Sequence, residues 1–220
     1  MGQNYASFHI IAENTNEILK RVEQYINNNS SSKGKNTHME KLAEPLYDGS
    51  VNDKLNIIYY MMDLFVNTSK LILINNNFLS IYDESYSLEN IETEGISLSK
   101  YIDKPIIGTG NLDDDVLSII LFQNGKIITK YTTGEGLEEY DFKQSFMDLG
   151  LFKKVTNLSI DKLDSLLREE DIYDIEDGFS ELYNIALDLT YDDLASFENK
   201  YKMLKETNAY SVFELLVTST

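Results

Sequence analysis

The apolar positions change their period along the chain, and the changes mark its elements. Tyr5 to Ile11 reads YASFHII, a continuous β-rich run. Asn14 then stands three residues before Glu17, a capping-box spacing, and Ile18, Leu19, Val22, Tyr25 and Ile26 fall on one helical face. The opening is therefore a β-α unit. Asn27 to Asn36, NNNSSSKGKN, has little to bury and is expected to be a mobile loop within a weakly patterned stretch near 27–50. Asp53 to Val66 is apolar enough for a buried helix or a strand, and its length favours a helix. In KLILINNNFLSIYDE two β-rich runs flank Asn75, Asn76 and Asn77, which tolerate the left-handed backbone of short loops, so a hairpin is expected from Lys70 to Asp83.

Helical spacing returns at Ile91, Gly95, Leu98 and Ile102, although Gly95 weakens that segment; Pro105 ends it, and PIIGTG starts the next strand. Val116 to Phe122 has one polar residue, Ser118, as expected of a central strand covered on both faces. Asn124-Gly125 supplies a type I′ turn before the β-branched return strand IITKYTT. Beyond this the period is helical. Ser159 precedes a stripe of Ile160, Leu163 and Leu167, and Phe179, Leu182, Tyr183 and Ala186 form another. Thr190 and Asp193 cap a third stripe of Leu194, Phe197, Tyr201 and Leu204. The pattern predicts an α+β fold. A mainly antiparallel sheet with hairpins, packed by helices, occupies 1–150, and a helical C-terminal third, 151–220, packs on the same core.

Composition narrows the chemistry. The 220 residues include no Cys, which excludes disulfides, thiolate nucleophiles and cysteine zinc sites and fits a reducing compartment. No basic segment followed by an apolar run opens the chain, and no apolar run approaches the roughly 18 residues of a membrane span. A soluble cytoplasmic protein, with no membrane association, is expected. The formal charge of −18 is unevenly spread. Residues 1–70 are nearly balanced, whereas 161–200 carry thirteen acids against three bases. Such a field repels phosphate backbones, so nucleic-acid binding is not expected, and it would speed association with a basic protein partner. Glu169, Glu170, Asp171, Asp174, Glu176 and Asp177, read as the solvent faces of the C-terminal helices, are the candidate contacts. An acidic surface also serves solubility alone.

Candidate catalytic residues are few. Asp113, Asp114 and Asp115 stand before the most apolar strand, where charge keeps a strand end in water and blocks register slips. Adjacent strand residues point to opposite faces, so the three converge on a cation only from a loop, and no EF-hand spacing surrounds them. An enzyme would need them joined by Asp83 or Asp141. His9 lies in an apolar strand and reads as a packed side chain; His38 lies in the polar loop. Gly108-Thr109-Gly110 lacks the Gly-Lys-Ser/Thr ending of a phosphate loop and reads as a turn. No cofactor is expected.

Tyr82-Asp83-Glu84, then Asp114-Asp115-Val116-Leu117, then Asn124-Gly125-Lys126 follow one another between residues 71 and 133. In this order they resemble an uncharacterised bacterial domain in which a strand ending in Tyr-Asp-Glu leads through a helix to an Asp-Asp-Val-Leu strand and an Asn-Gly-Lys hairpin. The resemblance is structural, implies no activity, and brings no characterised family with it. The charge distribution favours a non-enzymatic acidic binding protein, similar in role to the immunity proteins that neutralise basic toxins. The alternative is a carboxylate- or metal-dependent enzyme at Asp113–Asp115.

Overall fold

The computed structural model describes residues 4–12, 15–29, 35–43, 69–75, 77–83, 85–188 and 210–219. They form an α+β fold in which every strand pairing is antiparallel. The chain divides into two compact units, one of residues 1–11 and 84–188 and one of residues 12–83 and 189–220. The helix expected over Asp53–Val66 and the stripe from Thr190 to Leu204 lie outside the described residues.

The first unit is built on strands β1 (Asn4–Ile11), β5 (Ile106–Leu112), β6 (Val116–Gln123) and β7 (Lys126–Thr133), paired in that order. The β6–β7 hairpin turns at Asn124 and Gly125, both at positive φ, as the Asn-Gly pair predicts. Helix α2 (Ile91–Tyr101) covers one face of this sheet. Its Gly95 is where the ring of Phe122 seats: a Cβ there would lie 2.4 Å from Phe122 Cζ. The glycine that weakens the helical signal thus allows helix and sheet to approach closely. Phe8, Gly108 and Phe122 meet on the same face, and a Cβ on Gly108 would lie 2.9 Å from the Phe122 ring. Gly108-Thr109-Gly110 is therefore strand, as the PIIGTG run predicts and against the turn reading of its two glycines; a small residue is needed at 108, where the large rings pack.

The opposite face is covered by α3 (Leu149–Thr156), α4 (Leu163–Leu166), α5 (Ile172–Tyr183) and the segment up to Leu187. Tyr131 of β7 donates to the Leu167 carbonyl, and Ser7 of β1 donates to that of Leu187. Phe152, Leu163, Ile175 and Phe179 have no exposure, and Phe179 stacks edge-on against Tyr183 at 4.8 Å. Helices on both faces explain why Val116 to Phe122 is buried throughout and its sequence unbroken. Ser118, the polar exception, is hydrogen-bonded to Thr132 at 2.8 Å.

In the second unit β2 (Lys35–Ala43), β8 (Tyr210–Ser219), β3 (Ser69–Asn75) and β4 (Phe78–Tyr82) pair in that order, with α1 (Thr15–Asn29) against β2 and β4. The β3–β4 hairpin matches the expectation from the asparagine-flanked runs. Two segments depart from the sequence reading. Asn27–Asn29 close α1, and Lys35–Ala43, expected within a mobile loop and including His38, is a strand. A polar sequence can still join a ladder, because the backbone bonds come from the partner strand β8. Tyr210–Ser219 is a strand too, not part of a helical C-terminal third; its Tyr, Val, Phe and Thr content suits a pleated surface.

Candidate functional site

The aspartates Asp113, Asp114 and Asp115 form the turn between β5 and β6, not the mouth of an extended strand. Asp113 and Asp114 take φ of 54° and 63°, a left-handed conformation that Asp tolerates. Asn4 fixes the first of them, accepting from the Asp113 backbone N–H at 2.7 Å, and Tyr140 donates to the Asp113 carboxylate at 3.1 Å. The Asp114 N–H donates to the Asn111 side chain at 3.0 Å, and the Tyr173 hydroxyl stands beside the Asp114 carboxylate. That carboxylate, then burial and the charges of Glu176 and Asp171, push the Tyr173 hydroxyl above the ordinary phenol range. The Asp113 and Asp114 carboxylates thus stand beside different tyrosines in place of a common centre. Among the described residues no group of three or more His, Cys, Asp or Glu side chains is placed to hold a metal. Asp141, the other acid considered for a catalytic site in this unit, is exposed on the following turn, and Asp83 belongs to the second unit.

Asp114 and Asp115 line an open groove of about 1060 Å³. Thr133 to Glu135 from the end of β7, then Gln144, Phe146, Met147 and Leu149, and the α4–α5 corner complete its lining. The corner brings Asp164, Glu169, Glu170 and Asp171. With Asp114, Asp115 and Glu135 that makes seven carboxylates facing one cation, Arg168, which already donates to both oxygens of Asp164 at 3.0 Å. Between the acids lie Tyr131, Phe146, Met147, Leu167, Ile172 and Tyr173.

Of the acids predicted to meet a partner, Glu169, Glu170 and Asp171 line this groove, and Asp174 and Asp177 are exposed on α5 away from its lining. Asp171 also caps α5, its side chain accepting from the Tyr173 N–H at 2.8 Å. Glu176 is a correction: it is 8% exposed and faces the sheet. Its Oε1 accepts from the Tyr5 hydroxyl and from the Asn111 amide, the latter at 3.0 Å. Burial pushes its carboxyl above the ordinary carboxylate range, outweighing those two bonds, and the neighbouring charges of Asp114 and Asp177 push the same way. Glu176 therefore supports the groove from beneath: Asn111, which holds it, also holds the Asp114 turn.

The other polar cluster in this unit is Ser7, His9 and Thr109, where β1 and β5 pair. The three side chains lie 2.9 to 3.1 Å from one another, and none has any exposure. Burial lowers His9 to about 3, so the imidazole is neutral at physiological pH. Ser7 commits its proton to the Leu187 carbonyl. A serine without a path to solvent and with its proton so held packs a core; it does not attack a substrate. His9 is the packed side chain its strand predicts.

The sequence reading missed Phe146, Tyr173 and Glu135. Tyr173 could have been found, since it interrupts EEDIYDIED, an otherwise acidic and aliphatic run. Comparison of the chain with family models, curated proteins and solved structures finds no match to any of them.

Proposed function

We propose that this chain is a non-enzymatic acidic binding protein that takes a basic protein partner, in the manner of an immunity-type inhibitor, through the α4–α5 surface. The observation that supports the reading most is the imbalance around the groove: seven carboxylates and one arginine, that arginine already paired with Asp164. Exposed charges of one sign raise association rates more than they raise affinity. They also repel the phosphate backbone of nucleic acids. The absence of Cys suits a reducing compartment, where such a partner would be met.

The test is association kinetics against a partner recovered from the native host. The fourfold variant Glu169→Gln, Glu170→Gln, Asp174→Asn and Asp177→Asn should associate more slowly and lose most of its salt dependence. Wild type should slow steeply as salt approaches about 0.15 M, where the Debye length is about 8 Å. A wild-type rate indifferent to salt and to neutralisation would leave the acidity as a solubility feature.

A further inference from the structure

Phe146, in the lining of the groove, is 77% exposed, the most exposed large apolar side chain among the described residues. Exposure of this kind on a loose loop would mean little. Here the backbone is held on both sides. Ser145 makes a two-way bridge to Thr132, at 3.0 and 3.1 Å, and two residues on the Asp148 N–H donates to Thr129 at 2.7 Å while its side chain caps α3. Tyr173, 50% exposed, lines the same groove beside Asp114. Two exposed aromatic rings, one on a backbone held at both sides, with carboxylates around them, form a surface suited to a ligand that is both cationic and flat.

We propose, resting on the reading of a basic partner, that this groove docks an arginine-bearing segment of that partner, with guanidinium planes stacked on Phe146 and Tyr173 and their N–H groups directed at Glu169, Glu170 and Asp115. Charge complementarity selects the occupant. A second copy of this chain carries −18 and would bring more carboxylate to the groove. Compact cations such as lysine or a polyamine satisfy the carboxylates but meet a ring only as a point charge, without covering its face. A guanidinium does both, because it stacks on an aromatic face and bonds carboxylates in a planar fork.

The test uses fluorescence anisotropy on the full chain with a short fluorescein-labelled Gly/Ser peptide carrying several arginines, its lysine counterpart, and spermine as competitor. The arginine peptide should bind about fivefold tighter than the lysine peptide at about 0.15 M salt, the range of a single exposed cation–π contact. Phe146→Ala should remove most of that preference and Phe146→Trp should restore it, while both variants keep the wild-type unfolding midpoint because the side chain is exposed. Asp174→Asn with Asp177→Asn, outside the groove, should weaken both peptides equally and slightly. Equal binding of the two peptides, indifference to Phe146→Ala, or displacement of the arginine peptide by spermine at matched charge would overturn the proposal, as would no binding of either peptide. Salt-dependent association of the native partner, lost in the fourfold variant, would in those cases still stand for the broader binding role, so the two readings fail separately.

Discussion

Glu176 should respond oppositely to two substitutions, and the contrast isolates what its buried carboxyl does. Glu176→Ala removes the acceptor shared by the Tyr5 hydroxyl and the Asn111 amide. A buried donor deprived of its acceptor loses about 1–3 kcal/mol, so with two donors the variant should lose about 2–6 kcal/mol at neutral pH, less whatever is gained by no longer burying a charge. Glu176→Gln keeps an oxygen for both donors and turns an amide towards the charges of Asp114 and Asp177, which disfavour a carboxylate there. The pH dependence follows in sign. Because the folded value lies above the ordinary 4.5, the folded chain holds this proton longer than the unfolded one. Wild-type stability from this group is therefore full below about 4.5 and falls as pH rises to the folded value. Each tenfold difference in proton affinity between the two states is worth about 1.4 kcal/mol. Glu176→Gln has no such loss, so its stability relative to wild type should rise across that window and stay constant above it. Urea unfolding at a series of pH values from acid to pH 8 measures both variants. If Glu176→Gln were as damaging as Glu176→Ala at pH 8, the site would require the charge itself, and the account of a carboxyl destabilised by burial would be wrong.

Gly95→Ala gains helix propensity of about 1 kcal/mol but drives a methyl into the Phe122 ring, which has no exposure and nowhere to move. A net loss of about 1–2 kcal/mol is expected in thermal or urea unfolding, and a more stable variant would show that the helix–sheet contact is looser than it looks. Gly134→Ala should cost more: φ is 139° and the new Cβ would lie 1.9 Å from the Asp115 carbonyl oxygen, a backbone atom that cannot turn aside. Loss of soluble folded protein, or an unfolding midpoint far below wild type, is the expected outcome. Replacing Asp113, Asp114 and Asp115 together by Asn should leave the fold intact, since Asn also tolerates positive φ, and should leave Ca²⁺ and Mg²⁺ titrations by calorimetry unchanged. Micromolar binding that the triple variant loses would restore the metal reading.

Local chemistry was the legible part of the fold. The Asn124-Gly125 turn and the β3–β4 hairpin depend on which residues accept positive φ and on runs of β-formers, and both are present in a few adjacent residues. The buried character of β6 was legible for the same reason, because a strand covered on both faces leaves no polar alternation. What failed to show was whatever depends on a partner far along the chain. Lys35–Ala43 has a polar sequence and becomes a strand through bonds to residues 212–219. Gly108 and Gly110 also read as a turn because glycine in isolation signals one, while the rings that require a small residue at 108, Phe8 and Phe122, stand about 100 and about 14 residues away.

Glu176 shows where a site was half legible. Counting acids placed it on the solvent face with its neighbours, yet α5 buries Ile172, Ile175, Phe179 and Tyr183, and Glu176 lies four residues after the first and three before the third. The helical period alone therefore puts it on the buried flank. Charge composition and helical phase made opposite predictions for one residue, and phase prevailed, because burying the rest of the stripe leaves that position no route to water. The cost of burial is limited by Tyr5 and Asn111, which come from β1 and β5 and cannot be inferred from the helix. The same logic runs in reverse for Tyr173. It is one residue after a buried isoleucine and out of phase with the stripe, so the helix turns an aromatic ring outwards beside Asp114. A buried acid and an exposed aromatic four residues or fewer apart are the two places where α5 departs from the usual division of polar and apolar side chains. The ring lines the groove, while the acid, through Asn111, holds the Asp114 turn beside it.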